Sequence, residues 1–392
     1  MGDQALEGTT GSGAALGALA AGTFAIGVTE FVVSGLLPEV ADDLDVSISR
    51  AGLLVSGYAM GVVVGAPLMT MLVLRLPRRW VLVGLLGLFV AGNAISAAST
   101  TFVGMMAGRV VAALCHGAFI GIASLVATSL VAPERKSQAI ATMLTGLTVA
   151  NVAGVPLGTL VGQSFGWRTT FWTIAALGLL AMAAVAVLVP DVSGEAGGGL
   201  RTQLRPFARP PVWAALTVTA LGFGAVYAPL TYVAPLMTDV AGYASSSMSW
   251  LLAMFGVGLV LGNLAGARLA DLDLRATVAG ALAVLVVVFL VFDRTSHHHA
   301  AAAVTLFVLG MAAFATVPAF TTSVLLAGGA AADNLLASSA AVAAFNVGNA
   351  TGAWLGGVVI DAGHGYAATT LVGAAMSAAA LGVFAASLAL RR

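Results

Sequence analysis

Residues 146–172 read GLTVANVAGVPLGTLVGQSFGWRTTFW, a stretch with a single charged side chain. Glycines recur every four residues at Gly154, Gly158 and Gly162. A spanning helix needs about 20 mostly apolar residues, and small residues four apart share one helix face, where a neighbouring helix can approach closely in lipid. Pro156 frees a backbone carbonyl and is expected to bend the helix. The stretch therefore predicts a closely packed, bent membrane helix.

The whole sequence has the composition of a membrane protein. Of its 392 residues, 60% are hydrophobic and 8% are charged, whereas a soluble protein carries about a quarter charged residues. We therefore expect lipid to be its solvent. The net charge of zero argues against a nucleic-acid partner, because phosphate binding needs a basic surface. The single cysteine, Cys115, excludes an intrachain disulfide and a zinc cluster.

Twelve apolar segments are long enough to span a bilayer. The runs are continuous and do not alternate as barrel strands do, so the pattern predicts an all-α membrane protein with twelve transmembrane helices. The N-terminus lacks the basic start and cleavage site of a secretory signal, so the first segment is expected to remain as a helix. The predicted spans are 15–38, 51–74, 80–98, 102–130, 137–163, 169–190, 212–237, 249–270, 276–293, 300–326, 335–361 and 366–390.

The distribution of Lys and Arg predicts the orientation of these helices, because basic residues concentrate in cytoplasmic loops. With the N-terminus inside, three basic residues lie outside: Arg50, Arg168 and Arg294. Twelve lie inside: Arg75, Arg78, Arg79, Arg135, Lys136, Arg201, Arg205, Arg209, Arg268, Arg275, Arg391 and Arg392. We therefore expect a multi-pass protein of the cytoplasmic (inner) membrane with both termini in the cytoplasm.

The two halves of the chain resemble each other at a nearly constant offset. The stretch from Gly57 matches that from Met254, 197 residues later, and the stretch from Ala150 matches that from Gly348, 198 residues later. Many secondary transporters consist of such repeats, with the substrate site between them. The sequence predicts an N-terminal six-helix half at 1–190, a Gly- and Pro-rich cytoplasmic linker at 191–211 and a C-terminal six-helix half at 212–392.

Glycines spaced by four residues occur on four symmetry-related helices. One interpretation is that they form smooth faces between the two halves, which would let the halves rock. The alternative is general close packing in a chain with 48 glycines. The four trios are Gly57, Gly61, Gly65; Gly154, Gly158, Gly162; Gly258, Gly262, Gly266; and Gly348, Gly352, Gly356.

In combination, these features resemble the drug:proton antiporter branch of the major facilitator superfamily. GVTEFVVSGLLPEVADDL (27–44) is similar to the first helix of its chloramphenicol-resistance, arabinose-efflux and purine-efflux exporters, and GRVVAALCHG (108–117) resembles its fourth-helix motif, with the arginine at Arg109. The resemblance implies two pseudo-symmetric six-helix bundles that export a small molecule. The antiporter motif of the fifth helix corresponds to Gly146, Asn151, Gly154, Pro156 and Gly158.

The loop between the second and third helices departs from the family pattern. The family has Gly and Asp ahead of a basic cluster, where this sequence has Thr70 and Leu74. The repeat copy retains the acid as Asp271. This departure argues against a gate in the N-terminal half that depends on the Asp of the family motif. The basic residues that remain are Arg75, Arg78 and Arg79.

Glu30 and Arg109 are the unambiguous charged residues within the predicted spans. Such groups are costly in hydrocarbon and usually face a cavity. Their spacing from the outer helix ends, at Pro38 and Phe102, places both roughly 10–12 Å below the outer boundary. We predict that Glu30 binds the coupling proton beside the fixed positive charge of Arg109. The alternative is a structural ion pair that locks the first and fourth helices together.

Four further residues are predicted to line a substrate cavity: His116, Tyr227, Tyr232 and Phe314. His116 follows Arg109 by seven residues and so lies on nearly the same helix face, and Tyr227 is the repeat counterpart of Glu30. Aromatic side chains suit an amphiphilic ligand, but packing against lipid or a neighbouring helix is the alternative for each. The tract 297–299 is a weak metal signal, and no metal site is predicted.

Other classes of function have little support in the sequence. An ATP-driven pump needs a P-loop lysine, and the only lysine, Lys136, lies in PERKSQ. An enzyme would need a cluster of His and acids, and a channel does not account for the repeat. We therefore predict a non-enzymatic secondary transporter that exports a drug-like amphiphile in exchange for protons, with sugar or nucleobase export as the alternative. Its expected partners are substrate, protons and bilayer; it needs no cofactor beyond the proton gradient, and a monomer suffices.

Overall fold

The computed structural model describes residues 3–73, 76–191, 205–328 and 335–389, in which the long elements are all helices. We number the twelve long helices in chain order. They are helix 1 (Asp3–Gly35), helix 2 (Ile48–Val73), helix 3 (Arg78–Ala98), helix 4 (Phe102–Ser129), helix 5 (Lys136–Val149, Ala150–Gly154 and Val155–Phe165), helix 6 (Trp167–Leu188), helix 7 (Pro210–Thr231), helix 8 (Met248–Leu272), helix 9 (Leu274–Thr295), helix 10 (His299–Gly328), helix 11 (Leu335–Asp361) and helix 12 (Ala368–Ala389).

The twelve helices coincide with the twelve predicted spans, which confirms the all-α membrane fold. Within the described ranges, eleven are long and apolar enough to cross a membrane, the exception being helix 11. Helix 11 has 27 residues, carries two buried asparagines and packs against helices 2 and 7, so much of its surface meets protein. Val103, Phe165 and Leu180 are 72%, 75% and 68% exposed, as expected of side chains that face lipid.

Prolines shape the ends and the middle of these helices. Helix 1 ends at Gly35, and the chain continues as the short helix Leu37–Asp43 with Pro38 in its first turn. The predicted irregularity at Pro156 takes the form of a π-helical turn, Ala150–Gly154, directly before the last segment of helix 5. Proline cannot donate a hydrogen bond to the carbonyl group one turn earlier. The wider π-helical turn before Pro156 accommodates this missing bond.

The glycine trios pack inside each half, so the predicted smooth faces between the halves are wrong. A Cβ atom added at Gly65 of helix 2 would meet the backbone of Leu114 on helix 4, and one at Gly262 of helix 8 would meet Met311 on helix 10. In a bundle without a hydrophobic driving force, close backbone approach holds helices together, and only glycine permits it at these crossings.

The second pair of trios follows the same symmetry. Gly154 of helix 5 lies against Val28 of helix 1, and Gly352 of helix 11 lies against Gly224 of helix 7. Helix pairs 2–4 and 8–10, and pairs 1–5 and 7–11, are therefore equivalent crossings in the two halves. Gly256 of helix 8 is a glycine that does face the other half, where it approaches the backbone of Asn151.

Two hydrogen bonds join the two halves at one end of the bundle, which we call the closed end, and a third joins them deeper in the bundle. Ser49, at the start of helix 2, donates to Asp361 at the end of helix 11. Gln163 Nε2, at the end of helix 5, donates to the Ser245 carbonyl oxygen at 2.9 Å, and Ser56 Oγ donates to the Ala350 carbonyl oxygen at 2.9 Å. The opposite end is the basic end, and its described cations are Arg78, Arg79, Arg135, Lys136, Arg209, Arg268 and Arg275.

The helix 7–helix 11 crossing predicts a specific loss of stability. Gly352→Val places a side chain against the Gly224 backbone, and overpacking of this kind typically costs about 1–3 kcal/mol. We expect a lower midpoint of thermal unfolding in detergent. Gly280→Val on helix 9 is the matched control, because nothing lies within 4 Å of its Cβ position. Equal midpoints for the two variants would contradict the assigned crossing.

Candidate functional site

Glu30 faces the other half of the protein from near the end of helix 1. The hydroxyl of Tyr227 on helix 7 donates to Glu30 Oε1 at 3.1 Å. Tyr227 lies 197 residues after Glu30, so symmetry-equivalent positions of helices 1 and 7 meet here. Tyr227 is 2% exposed, whereas Glu30 is partly exposed. The carboxyl group therefore lies at the interface between the halves.

Arg109 is buried among helices 1, 2 and 4, with 1% of its surface exposed. Its Nη1 donates to the backbone oxygen of Thr29 at 2.5 Å, and its guanidinium carbon lies 4.1 Å from the centroid of the Tyr58 ring. This geometry is a cation–π contact. Nε and Nη2 have no hydrogen-bond partner in the part of the chain that the structure describes. Because Arg109 reaches the residue before Glu30, the two groups lie at the predicted common depth.

Glu30 and Arg109 nevertheless form no direct ion pair. Across the described ranges, the pairs within 4.0 Å are Arg168 with Asp43 and Arg294 with Asp293. The carboxyl group is hydrogen-bonded to the opposite half, while the guanidinium is held within its own half. The arrangement thus differs from an ion pair that locks helices 1 and 4, and it leaves Nε and Nη2 of Arg109 without an acceptor among the described residues.

Thr29 and Asn93 fix the backbone that receives Arg109. Thr29 Oγ1 donates to Asn93 Oδ1 at 2.6 Å, and Asn93 Nδ2 donates to the Phe89 carbonyl oxygen at 2.9 Å. Both side chains are fully buried. Sequence reasoning missed this pair, although a solitary asparagine in the apolar helix 3 is a signal for a hydrogen bond between membrane helices.

Tyr58 links Arg109 to His116. Its hydroxyl lies 3.1 Å from His116 Nδ1, and both rings are buried, at 2% and 5% exposure. His116 therefore lies near Arg109, as predicted, and contacts helix 2 through Tyr58. Tyr58 was also missed from the sequence. The available signal was a single polar aromatic residue between Gly57 and Gly61, on the helix face that was interpreted only as a packing surface.

An aromatic cluster lies beside the Glu30 carboxyl group. Phe223 of helix 7 packs edge-on against Phe314 of helix 10 and Phe345 of helix 11, with ring centroids 5.7 and 4.9 Å apart. Tyr227 lies 6.1 Å from Phe223 and 6.0 Å from Phe31 of helix 1. Phe31, Phe314 and Phe345 are partly exposed. The predicted residue Phe314 thus joins an apolar wall that retains accessible ring surface.

Residues 19–332 match the family model described as Major Facilitator Superfamily. The chain belongs to this superfamily. It is 40% identical to the inner membrane transport protein YdhP of Escherichia coli (strain K12) over 364 residues, 93% of each chain. It is 36% identical to a chloramphenicol resistance protein of Streptomyces lividans over 338 residues, which cover 85% of this chain and 86% of that one.

The fold agrees with solved members of the superfamily. A bacterial homolog of the human lysosomal transporter Spinster, in an inward-facing and unoccupied conformation, superimposes with a TM-score of 0.74. The match covers 97% of this chain and 96% of that one at 16% sequence identity, and so it supports the fold alone. Twelve helices in two six-helix bundles, as predicted, are the major facilitator fold.

The glycines of the segment that resembles the family's antiporter motif lie against helix 1. In chain order, Gly146, Gly154 and Gly158 approach Thr23, Val28 and Val32. Asn151 Nδ2 donates to the Leu147 carbonyl oxygen of its own helix at 2.9 Å, and Pro156 follows the π-helical turn. This segment of helix 5 therefore supports the helix that carries Glu30.

The remaining predicted residues lie away from this group. Tyr232 is fully buried toward the closed end, where its hydroxyl donates to the Ala353 carbonyl oxygen at 2.9 Å and its ring lies against Gly52. The structure therefore brings Phe314, His116 and Tyr227 toward Glu30 or Arg109, but not Tyr232.

The predicted loop motif lies at the basic end. The guanidinium carbon of Arg79 is 5.2 Å from the centroid of the Trp80 ring, and Arg78 begins helix 3. Asp271, near the end of helix 8, is exposed and forms no ion pair with a described residue. Arg75 lies outside the described residues.

The histidine tract at 297–299, which is a weak metal signal in the sequence, makes local contacts in the structure. The His299 ring stacks on Tyr243 with centroids 3.6 Å apart, and its Nδ1 lies 3.1 Å from the Ala241 carbonyl oxygen. The described ranges contain no group of three or more His, Cys, Asp or Glu side chains placed to hold a metal ion. His299 instead joins the start of helix 10 to the loop before helix 8.

The support of Arg109 by Tyr58 is testable through stability. Tyr58→Leu removes both the ring below the guanidinium, worth about 2 kcal/mol when desolvated, and the His116 contact. Tyr58→Phe removes only the contact, worth about 1 kcal/mol. We expect the unfolding midpoint to fall in the order wild type, Tyr58→Phe, Tyr58→Leu.

The control for lost packing is Phe255→Leu. Phe255 occupies the repeat-equivalent position on helix 8 and is buried, but no arginine lies over its ring among the described residues. A fall for Tyr58→Leu no larger than that for Phe255→Leu would contradict a specific role for the ring under Arg109.

Proposed function

We propose that this transporter exports a small amphiphilic, drug-like molecule in exchange for protons by alternating access, with Glu30 as the proton-binding group. The observation that carries the proposal is the position of its carboxyl group. Glu30 lies inside a membrane helix, is partly exposed and contacts the opposite half through Tyr227. Ionisable residues placed in this way usually mark ion or substrate pathways.

The two protonation states of Glu30 have different best partners. A neutral carboxyl group is satisfied by the Tyr227 hydroxyl in the other half. An ionised carboxylate gains more from hydrogen bonds to a cation, and in the same half Nε and Nη2 of Arg109 have no partner among the described residues. Loss of the proton strengthens the bond from Tyr227 but also attracts the carboxylate to Arg109 within its own half, so the two partners compete for the ionised form. This competition couples proton release to rearrangement of the halves.

We infer that access to Glu30 is from the basic end, because hydrogen bonds join the halves toward the closed end while residue 30 is partly exposed. The excess of Lys and Arg at the basic end favours a cytoplasmic position for that end and for both termini. The structure then corresponds to an inward-facing state, in which a proton leaves Glu30 toward the cytoplasm.

The aromatic cluster supports an apolar, ring-containing substrate. Partly exposed Phe31, Phe314 and Phe345 offer ring faces and edges next to a single ionisable group. Such a wall suits a drug-like amphiphile, and the similarity to a chloramphenicol resistance protein supports the same class. Stacking surface also favours a nucleobase over a sugar, so nucleobase export is the second candidate.

The direction of transport rests on the helix 5 segment that resembles the antiporter motif. Both halves and the proposed proton site lie on one chain, so a monomer suffices. The proposed cycle is driven by the proton gradient and involves no other cofactor. In this proposal the protein is a multidrug efflux transporter of the inner membrane, and the neighbouring Arg109 and Glu30 serve transport rather than enzymatic chemistry.

Glu30→Gln tests the proposal, because glutamine preserves a hydrogen bond with Tyr227 but cannot exchange a proton. In inverted vesicles, we expect proton-driven accumulation of chloramphenicol or a labelled nucleobase to fall to background. Exchange of labelled for unlabelled substrate should continue, since it needs no net proton movement. Tyr227→Phe keeps the titrating group but removes the competing partner in the other half, so proton-driven accumulation should be reduced without falling to background. Normal proton-driven accumulation by Glu30→Gln would reject the assignment.

The same vesicles separate this function from the other classes. Saturable uptake that collapses when the proton gradient is dissipated supports an antiporter. Ohmic current without saturation supports a channel, and a change in the recovered compound supports an enzyme.

A further inference from the structure

The closed end contains two pseudo-symmetric contacts between the halves. Gln163, at the end of helix 5, donates to the Ser245 carbonyl oxygen just before helix 8. Its repeat counterpart, 198 residues later, is Asp361, which accepts a hydrogen bond from Ser49 at the start of helix 2. We call these the Gln163 latch (Glu39, Gln163 and Ser245) and the Asp361 latch (Ser49 and Asp361). Each joins the last turn of one helix to the first turn of a helix in the other half.

The two latches differ in one partly buried acid, Glu39. Gln163 Nε2 lies 3.3 Å from Oε1 of Glu39, on the short helix Leu37–Asp43. Glu39 Oε2 and Gln163 Oε1 are both buried without a hydrogen-bond partner among the described residues. Two buried acceptors without a donor are costly, and a proton on the carboxyl group converts one of them into a donor. Asp361, by contrast, is exposed to solvent.

Charged groups around the Gln163 latch do not neutralise Glu39. Arg168 of helix 6 is paired with Asp43 at 2.7 Å, and Arg50 lies over the Phe102 ring. Within the described ranges, no cation comes within 4.0 Å of the Glu39 carboxyl group. The titratable and charged groups on the elements around this latch are Asp42, Asp43 and Asp45 after helix 1, Arg50 on helix 2, Arg168 on helix 6, Asp239 and Tyr243 after helix 7, and Asp361 on helix 11.

We propose that Glu39 is a second proton-binding site of this transporter, and that its protonation from the outer side holds the closed end shut. The proposal rests on the proposed alternating access and on the outer position of the closed end. It is independent of the role assigned to Glu30, which lies on the preceding helix and is bound to Tyr227.

The sign of the effect follows from burial. Burial raises the pKa of the Glu39 carboxyl group above its ordinary value, and hydrogen bonds from its own backbone and from Gln163 offset part of this rise. When the latch opens, water reaches the carboxyl group and its pKa returns toward the ordinary value. The closed form therefore binds the proton more tightly. Acid favours the closed form, and this stabilisation is lost as the pH rises through the closed-state pKa.

This sign suits proton-driven export. A proton taken up by Glu39 from an acidic outer compartment favours closure of the outer end. The resulting inward-facing state exposes Glu30 to the cytoplasm, where its own proton is released. The outer latch thus responds to the proton concentration that drives transport, and one cycle has two protonation sites, at different depths.

The test measures closure of the outer end directly. Spin labels are attached to Ser164→Cys and Ser246→Cys, exposed positions beside Gln163 and Ser245, in the full chain with Cys115→Ala and Glu30→Gln. Removal of the Glu30 carboxyl leaves Glu39 as the proposed titrating group. We expect the short-distance population to fall as the pH rises from acid to neutral. Each unit by which burial raises the closed-state pKa changes the closed-to-open ratio about tenfold.

Variants assign the response to one latch. Glu39→Gln should remain closed across the pH range, because glutamine is permanently neutral and can donate to Gln163 Oε1. Asp361→Asn is the matched control at the symmetric position and should keep the pH response. Persistence of the response in Glu39→Gln, or its loss in Asp361→Asn, overturns the proposal.

A further variant keeps the test decisive if Glu39→Gln does not fold. Glu39→Asp retains an acid but withdraws it from Gln163 toward water, so the midpoint of closure should move to lower pH, and an unchanged midpoint counts against the proposal. Failure of the Glu30 assignment has a different signature. It appears as proton-driven transport by Glu30→Gln in vesicles, whatever the spin-label distances show.

Discussion

The arginine at position 109 is a permanent charge buried inside a membrane bundle, and the packing of helices 1 to 4 follows from it. Its guanidinium cannot lose its proton, so the bundle must supply an acceptor and a polarisable surface. The Thr29 carbonyl oxygen supplies the first and the Tyr58 ring the second. Asn93 and His116 in turn orient these two partners. Four helices thereby acquire a fixed register at the depth of Glu30. Within this set of polar groups, the Glu30 carboxyl is the one proposed to change its hydrogen-bond partner.

The fold was predictable in outline because its determinants are local or periodic. Lipid requires long apolar helices, so the twelve spans follow from composition and run length alone. The symmetry follows from matched positions such as Gly61 and Gly258. The common depth of Glu30 and Arg109 followed from the rise of a helix. Each of these inferences needs only the distance along one helix or the comparison of one half with the other.

The site was only partly predictable because its contacts depend on which faces of different helices meet. Tyr58 and Asn93 each become informative only when helices 2 and 3 are placed against Arg109. Tyr232 has the same residue type as Tyr227 but lies one and a half helical turns further on, in a packed region toward the closed end. The glycine trios were assigned to the wrong interface for the same reason. Spacing reveals that a face is smooth, but it carries no information about the helix that covers it.

The residues of the proposed function lie at positions where the two halves differ chemically. Packing glycines recur at equivalent positions of both halves, as expected of crossings that only hold helices together. The acids Glu30 and Glu39 do not recur at the equivalent positions of the C-terminal half. Glu30 has a tyrosine as its counterpart, and the two are hydrogen-bonded to each other across the halves. Gln163 has an aspartate as its counterpart, and its own latch carries the partly buried acid Glu39 instead. In the proposed function, the symmetric scaffold gives two equivalent arrangements of the halves, and the unequal acids allow protonation to select between them.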